Sequence, residues 1–278
     1  MPAWAPPAAY TGYPAPYPGG LPYQPAPEGP ALPPLPPVRL DPPSRNSLVW
    51  ETRFVMVAFL AAPLLGAAVL LASHVAGTAD VSRFPTIVHQ PLTNMILGII
   101  EYLPVAAVVP IALFLLLRTG QPPSSIGLGR PRFLLDIWPG LGLAVLSYVT
   151  EIAVLIPLLP FLEHATRAVN KVPVGNVPHY YVIWGLAISF TTAVAEEVLV
   201  NGYLITRLDQ LGWTPRAALI LSLVLRTSYH IYYGLAFLLT IPFGFYVTRS
   251  FQKHRRLNRS IAAHFIYDAS LFTLAILT

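Results

Sequence analysis

Two adjacent acids, Glu196 and Glu197, interrupt an apolar stretch at about 181–208. An ionisable side chain at bilayer depth is a functional-site candidate by default, because a charge there costs at least ~2.5–3.5 kcal/mol on insertion scales. Downstream, Arg226 and His230 stand four apart in the apolar run 217–233, and His264 and Asp268 stand four apart in the run 257–277. Residues four apart share one face of a helix, so each run can aim its two polar groups at a common interior point. The pattern predicts a membrane-embedded site built from acid, imidazole and one guanidinium. With no cysteine in the chain, His and carboxylate must carry any chemistry.

The setting follows from composition. Hydrophobic residues make up 55% and charged residues 10%, and the mean hydropathy is +0.59, well away from soluble usage. Runs approaching the ~20 residues that cross a hydrocarbon core begin near Phe54, Met95, Leu134, Tyr181, Thr214, Leu235 and Leu257. The expected fold is therefore all-α, a polytopic helix bundle of about seven spans around an intramembrane polar site, the sixth span short and weakly bounded. Three segments are expected: a tail over 1–48, N-terminal transmembrane helices over 49–180 and a catalytic core over 181–278.

Lys and Arg cluster at span ends, notably Arg249, Lys253, Arg255, Arg256 and Arg259 before the last span. The positive-inside rule then puts the N-terminus in the cytoplasm and the C-terminus outside, in what we expect to be the plasma membrane. The formal charge of +5 is read as a topology signal; the bases form no stripe beside aromatics, so no nucleic-acid partner is expected. The tail, rich in Pro, Tyr, Ala and Gly, cannot build a core and is expected to be disordered. Its proline runs could dock a protein partner with an aromatic-lined groove.

Gly212 and Pro215 bracket an evident helix-to-helix turn. Glu196 and His230 stand seventeen residues to either side of Trp213, so acid and imidazole should lie level across the hairpin. Asn201 and Arg226, twelve before and thirteen after, should face each other one turn nearer the cytoplasm.

In this order the residues resemble the CPBP, or Abi, group of intramembrane proteases, which includes the glutamate-type CAAX prenyl endopeptidases. The first motif of that group, Glu-Glu-x-x-x-Arg, is met by Glu196-Glu197 with Asn201 in place of the Arg. The second, Phe-x-x-x-His, is met by His230 with Arg226 in place of the Phe. The third, His-x-x-x-Asn/Asp, is met by His264 and Asp268. The two departures make one inference: the cation lost at 201 is regained at 226 on the facing helix, within reach of Glu197.

Peptide hydrolysis needs a water held against a base and a donor for the developing oxyanion. Glu196 is the expected base, with Glu197 kept ionised by Arg226. His230 would hold the water and shuttle its proton; His264, oriented by Asp268, would stabilise the oxyanion, as the resemblance also implies. No cofactor is required on this reading, although zinc remains possible, with Glu196, His230 and His264 as its ligands. The substrate would be a membrane-associated peptide or protein. The alternatives are an inactive CPBP-like scaffold and a small-molecule or ion transporter. Glu101 and Glu151, also within expected spans, have no motif around them.

Overall fold

The computed structural model describes residues 44–75, 91–169 and 179–277, and within them every regular element is a helix. Long helices are α1 (Arg45–Val75), α2 (Pro91–Arg118), α3 (Trp138–Val169), α4 (His179–Glu196) and α8 (Leu257–Leu277). Shorter ones are α5 (Ile205–Gln210), α6 (Pro215–Ser228) and α7 (Thr240–His254). A buried π-helical segment, Glu197–Leu204, joins α4 to α5 without a break, and a 3-10 segment, Ile231–Leu239, joins α6 to α7. The expected tail lies outside the described residues up to position 43, and α1 begins at Arg45, inside the boundary of 48 expected for the tail.

Among the described residues three helical stretches are long and apolar enough to cross a membrane, Arg45–Val69, Phe133–Pro160 and Val182–Gln210, with a shorter apolar stretch at Tyr102–Arg118. The bundle is all-helical as expected, and its expected spans differ in length, the sixth being short as anticipated. α6 and α7 hold 14 and 15 residues, and at 1.5 Å per residue each rises only ~21–23 Å against a ~30 Å hydrocarbon core. The stretch Phe133–Pro160, a π-helical turn running into α3, shows the lipid-facing character most clearly, since only 17% of its apolar window is buried and Leu134, Val145, Val149, Ile152 and Ile156 point outward. Water would not tolerate so continuous an apolar face.

What holds the site is α8, which packs chiefly against α4 and α3. Gly140 and Ala144 form the small-residue face of α3. A Cβ on Gly140 would sit 2.9 Å from the Ala262 Cβ and 3.0 Å from the Ala263 nitrogen, so the backbones of α3 and α8 touch in the close approach that small residues permit. Asp136, fully buried at the entry to α3, accepts from Arg256 Nε and Nη2 at 2.7 Å each and from the Arg132 backbone N–H at 2.7 Å. That clamp fixes the α7–α8 turn to α3. On the other side an apolar core of Phe59, Leu116, Ile126, Leu199, Tyr203 and Phe251 locks α1, α2 and the π segment together.

The hairpin turn forms as the sequence predicts. Gly212 takes φ 84°, the left-handed conformation that glycine adopts without strain. The Trp213 N–H reaches back to the Leu208 carbonyl and the Gly212 N–H to the Asp209 carbonyl, the paired bonds that close a helix C-terminus. Thr214 then caps α6 by accepting from the Ala217 N–H, with Pro215 in the first turn.

Arg207, close to the Gly212–Pro215 turn, is fully buried. It donates to Gln210 and Gln121, lies 3.6 Å from Glu51 and stacks on the Tyr203 ring. With Arg118 also on Glu51 at 2.8 Å, this second polar centre ties α1 and α2 to α5.

Candidate active site

Each motif enters the site from a different element. Glu196 is the last residue of α4 and Glu197 the first of the π segment. A π turn widens the helix by one residue and is frequent at functional sites. Its sequence signal is absent, because the run 195–205 reads as ordinary α-helix by periodicity.

Glu197 is fully buried and fully engaged. Its Oε1 accepts from Arg226 Nη2 at 2.7 Å and lies 2.9 Å from His264 Nδ1, while its Oε2 accepts from Asn201 Nδ2. Asn201 Oδ1 in turn accepts from the Thr248 hydroxyl at 2.8 Å, and that hydroxyl lies 3.1 Å from Ser222 Oγ. The amide orientation is thereby fixed at both ends, donating to the acid and accepting from the hydroxyl. An Arg at 201 could make the first contact but not the second.

Arg226 is placed where the facing-helix argument puts it. Besides Glu197, its Nη1 donates to Glu196 Oε2 at 3.3 Å, so one guanidinium bridges both acids. Room for its stem comes from Gly244 on α7, where a Cβ would lie 3.3 Å from Arg226 Cδ and 3.0 Å from Leu223 Cδ2. Such paired, bidentate recognition of carboxylates suits Arg and not Lys.

The two acids differ in access. Glu196 is 12% exposed at its side chain and Glu197 0%, and Glu196 alone of the two lines a small cavity of about 60 Å³. Arg226, Tyr229, His230, His264 and Asp268 line it as well, which is room for one or a few waters. Glu196 Oε2 also accepts from the Tyr229 hydroxyl at 2.7 Å.

His230 reaches this cavity by a route different from the one expected. α6 ends at Ser228, and Tyr229 and His230 take φ near −85° and −104° with ψ 2°. This sparsely populated bridge region recurs at active sites. Arg226 and His230 are therefore not one α-helical face; the turn after α6 brings both to the same wall.

His264 stands between two acids, its Nδ1 on Glu197 and its Nε2 3.4 Å from Asp268 Oδ2. It can donate to both only when both ring nitrogens carry hydrogen. The contact to Asp268 is legible from the sequence; the shorter one to Glu197 crosses between elements and is not. Phe243 packs its ring edge-on against the imidazole at 4.9 Å.

Sequence reasoning did not select Tyr229 or Tyr267, both of which line the cavity. The only signal for them was adjacency to His230 and Asp268. Glu151 lies behind Tyr267, whose hydroxyl donates to it at 2.6 Å. The side chain of Glu101 lies outside the described residues.

Zinc fits poorly here. Among the described residues no three His, Asp or Glu side chains converge as a metal-ligand set. The guanidinium of Arg226 occupies the space between the two acids that a cation would take.

Helices long and apolar enough to span a membrane, enclosing a buried cluster of carboxylates, guanidinium and imidazoles, define an integral membrane protein with an intramembrane polar site. Residues 178–270 match the family model described as type II CAAX prenyl endopeptidase, Rce1-like. That model belongs to the CPBP/CAAX intramembrane protease family, and the matched stretch, about a third of the chain, holds all three motifs. No curated protein and no solved structure gives a significant match to the chain.

Proposed function

We propose that the chain is an active intramembrane endopeptidase that hydrolyses a peptide bond with a water activated by Glu196. The observation carrying this is the division of labour between the acids: Glu197 is sealed and saturated by Arg226, Asn201 and His264, whereas Glu196 faces the cavity. A base must be reachable by water, and a buried charge needs partners.

The steps follow from that arrangement. Glu196 takes a proton from a cavity water as the water oxygen bonds to the scissile carbonyl carbon. The negative charge passes to the carbonyl oxygen, where donors preorganised in a dry site are worth most. His264 Nε2, loosely held by Asp268, is the donor on the cavity wall for that oxygen, the Tyr229 hydroxyl stays on Glu196, and His230 on the same wall positions the water. The intermediate collapses by breaking the C–N bond, with the proton returned from Glu196 to the leaving amine. Arg226 holds Glu196 in place through Oε2.

Asn201 in place of the family Arg does not leave Glu197 without a cation, and this supports activity over an inactive scaffold. No step is routed through a metal. The substrate class is a membrane-associated peptide or protein; a cavity of about 60 Å³ holds water and not a peptide, so substrate must part its wall. The test is cleavage of a membrane-inserted fluorogenic peptide library by the purified protein in nanodiscs. Glu196→Gln should lower the rate by ~10²–10⁴-fold, the usual share of a general base, with an unchanged unfolding midpoint. Equal rates for the two proteins would defeat the proposal.

A further inference from the structure

A larger cavity, of about 560 Å³, lies away from the motif site, at the end of the bundle where α7 gives way to α8. Its walls carry Arg249, Lys253, Arg255 and Arg259 against a single acid, Asp209. Asp209 is committed to Arg255. Arg249 is held only by Gln252 Oε1 at 3.0 Å, and Arg259 donates to the Leu135 carbonyl. Among the described residues, Arg249, Lys253 and Arg259 thus face one opening with no carboxylate in ion-pair contact; Asp136, already clamped by Arg256, acts on Arg259 only from a distance. The wall is rigid where it matters, since Gln252 Nε2 donates to the Pro215 carbonyl at 2.7 Å and ties α7 to the start of α6.

The same cavity has an apolar side. Leu143 of α3 and Tyr246 of α7 line it, with Pro139 and Pro215. Trp138 and Trp213, each one or two residues from a lining proline, are 55% and 44% exposed. Exposed Trp at the ends of spans sits at headgroup depth. A soluble anion would have no use for this apolar half, whereas a phospholipid presents a phosphate above and acyl chains below.

We infer that this cavity is a binding site for one anionic phospholipid, its phosphate held by Arg249, Lys253 and Arg259 and its chains lying along Leu143 and Tyr246. Basic pockets between spans on the cytoplasmic side are suited to such headgroups, and the volume falls in the range of ligand sites. The positive field is felt locally: His254 at the rim has its pKa pushed down, by desolvation first and then by Arg259 and Lys253. The inference does not depend on the peptidase reading, since none of these residues touches the motif site.

Native mass spectrometry of the full chain in detergent, titrated with phosphatidylglycerol or phosphatidylcholine of matched chains, tests it. The expected result is one retained phosphatidylglycerol, favoured at least ~10-fold over phosphatidylcholine. Arg249→Gln with Lys253→Gln should abolish that preference. Asp209→Asn, which removes the acid that lines the cavity and frees Arg255, should strengthen it. Arg45→Gln with Arg53→Gln, an exposed pair on α1, should leave it unchanged, and unfolding midpoints establish that the variants fold. Equal retention of the two lipids, or preference surviving the Arg249/Lys253 change, overturns the site. Displacement of phosphatidylglycerol by millimolar inorganic phosphate would reassign it to a soluble anion and overturn the lipid assignment.

Discussion

Moving the cation back is the most direct trial of the site's electrostatics. Arg226 is 4% exposed, Glu197 0% and Glu196 12%, at 2.7 and 3.3 Å from its two nitrogens. Arg226→Phe leaves two adjacent carboxylates with no guanidinium between them. Breaking a buried pair by removing one partner costs ~3–5 kcal/mol, a factor of roughly 10²–10⁴ in the folded population at 1.4 kcal/mol per decade. Glu196 borders the cavity and can be solvated, so most of the penalty falls on Glu197. Asn201→Arg supplies a new donor to Glu197 from four residues along its own helix.

Rescue should be incomplete for a reason visible in the structure. Thr248 donates to Asn201 Oδ1, and Arg offers no acceptor. The stranded hydroxyl should cost about 1–3 kcal/mol, the penalty for an unmade buried hydrogen bond. Adding Thr248→Val should recover part of that remainder. The assay is reversible unfolding in mixed micelles, run as a double-mutant cycle, with cleavage rates read in parallel. If Asn201→Arg gives no relief in the Arg226→Phe background, Glu197 does not need the guanidinium and the relocated-cation argument is wrong.

Four further outcomes follow from particular contacts. Glu197→Gln should lower stability by ~3 kcal/mol or more, because Arg226 and His264 lose a charged acceptor, whereas Glu196→Gln should leave the unfolding midpoint nearly unchanged; equal destabilisation in the same unfolding assay would erase the distinction between the acids. Tyr229→Phe removes the 2.7 Å donor to Glu196 and should cost ~1 kcal/mol in stability with a larger proportional fall in cleavage rate, seen by measuring both on one preparation. Asp136→Asn breaks the clamp on Arg256 and should cost ~1.5–3 kcal/mol, with trypsin cutting sooner at the α7–α8 turn. Dialysis against a zinc chelator should leave cleavage by the wild type intact, and loss of activity restored by added zinc would return the metal reading.

How much of this was legible beforehand depended on whether a contact is made along a helix or between elements. The turn at Gly212–Pro215 is local chemistry, and it forms with the bonds its residues dictate. The ladder across that turn placed Arg226 opposite Asn201, within reach of Glu197, because antiparallel helices keep level residues level whatever the side chains do. It could not see that α6 stops at Ser228, since the run through Tyr233 has no proline or glycine before Gly234 to announce a break. Nor could it see the π turn at Glu197, which depends on Glu197 gathering three donors from α6, α8 and its own segment. No short-range periodicity encodes a demand of that kind. The same limit explains Arg207, whose burial is set by Glu51 and Gln121, 156 and 86 residues away in the chain. The π turn at Glu197 and the burial of Arg207 concern charges brought inside and then surrounded. A charge in an apolar run announces itself in the sequence, but the side chains that make it tolerable come from wherever the fold can supply them. That is why Asn201, read alone, resembles the loss of a motif, and read beside Arg226 is consistent with its retention.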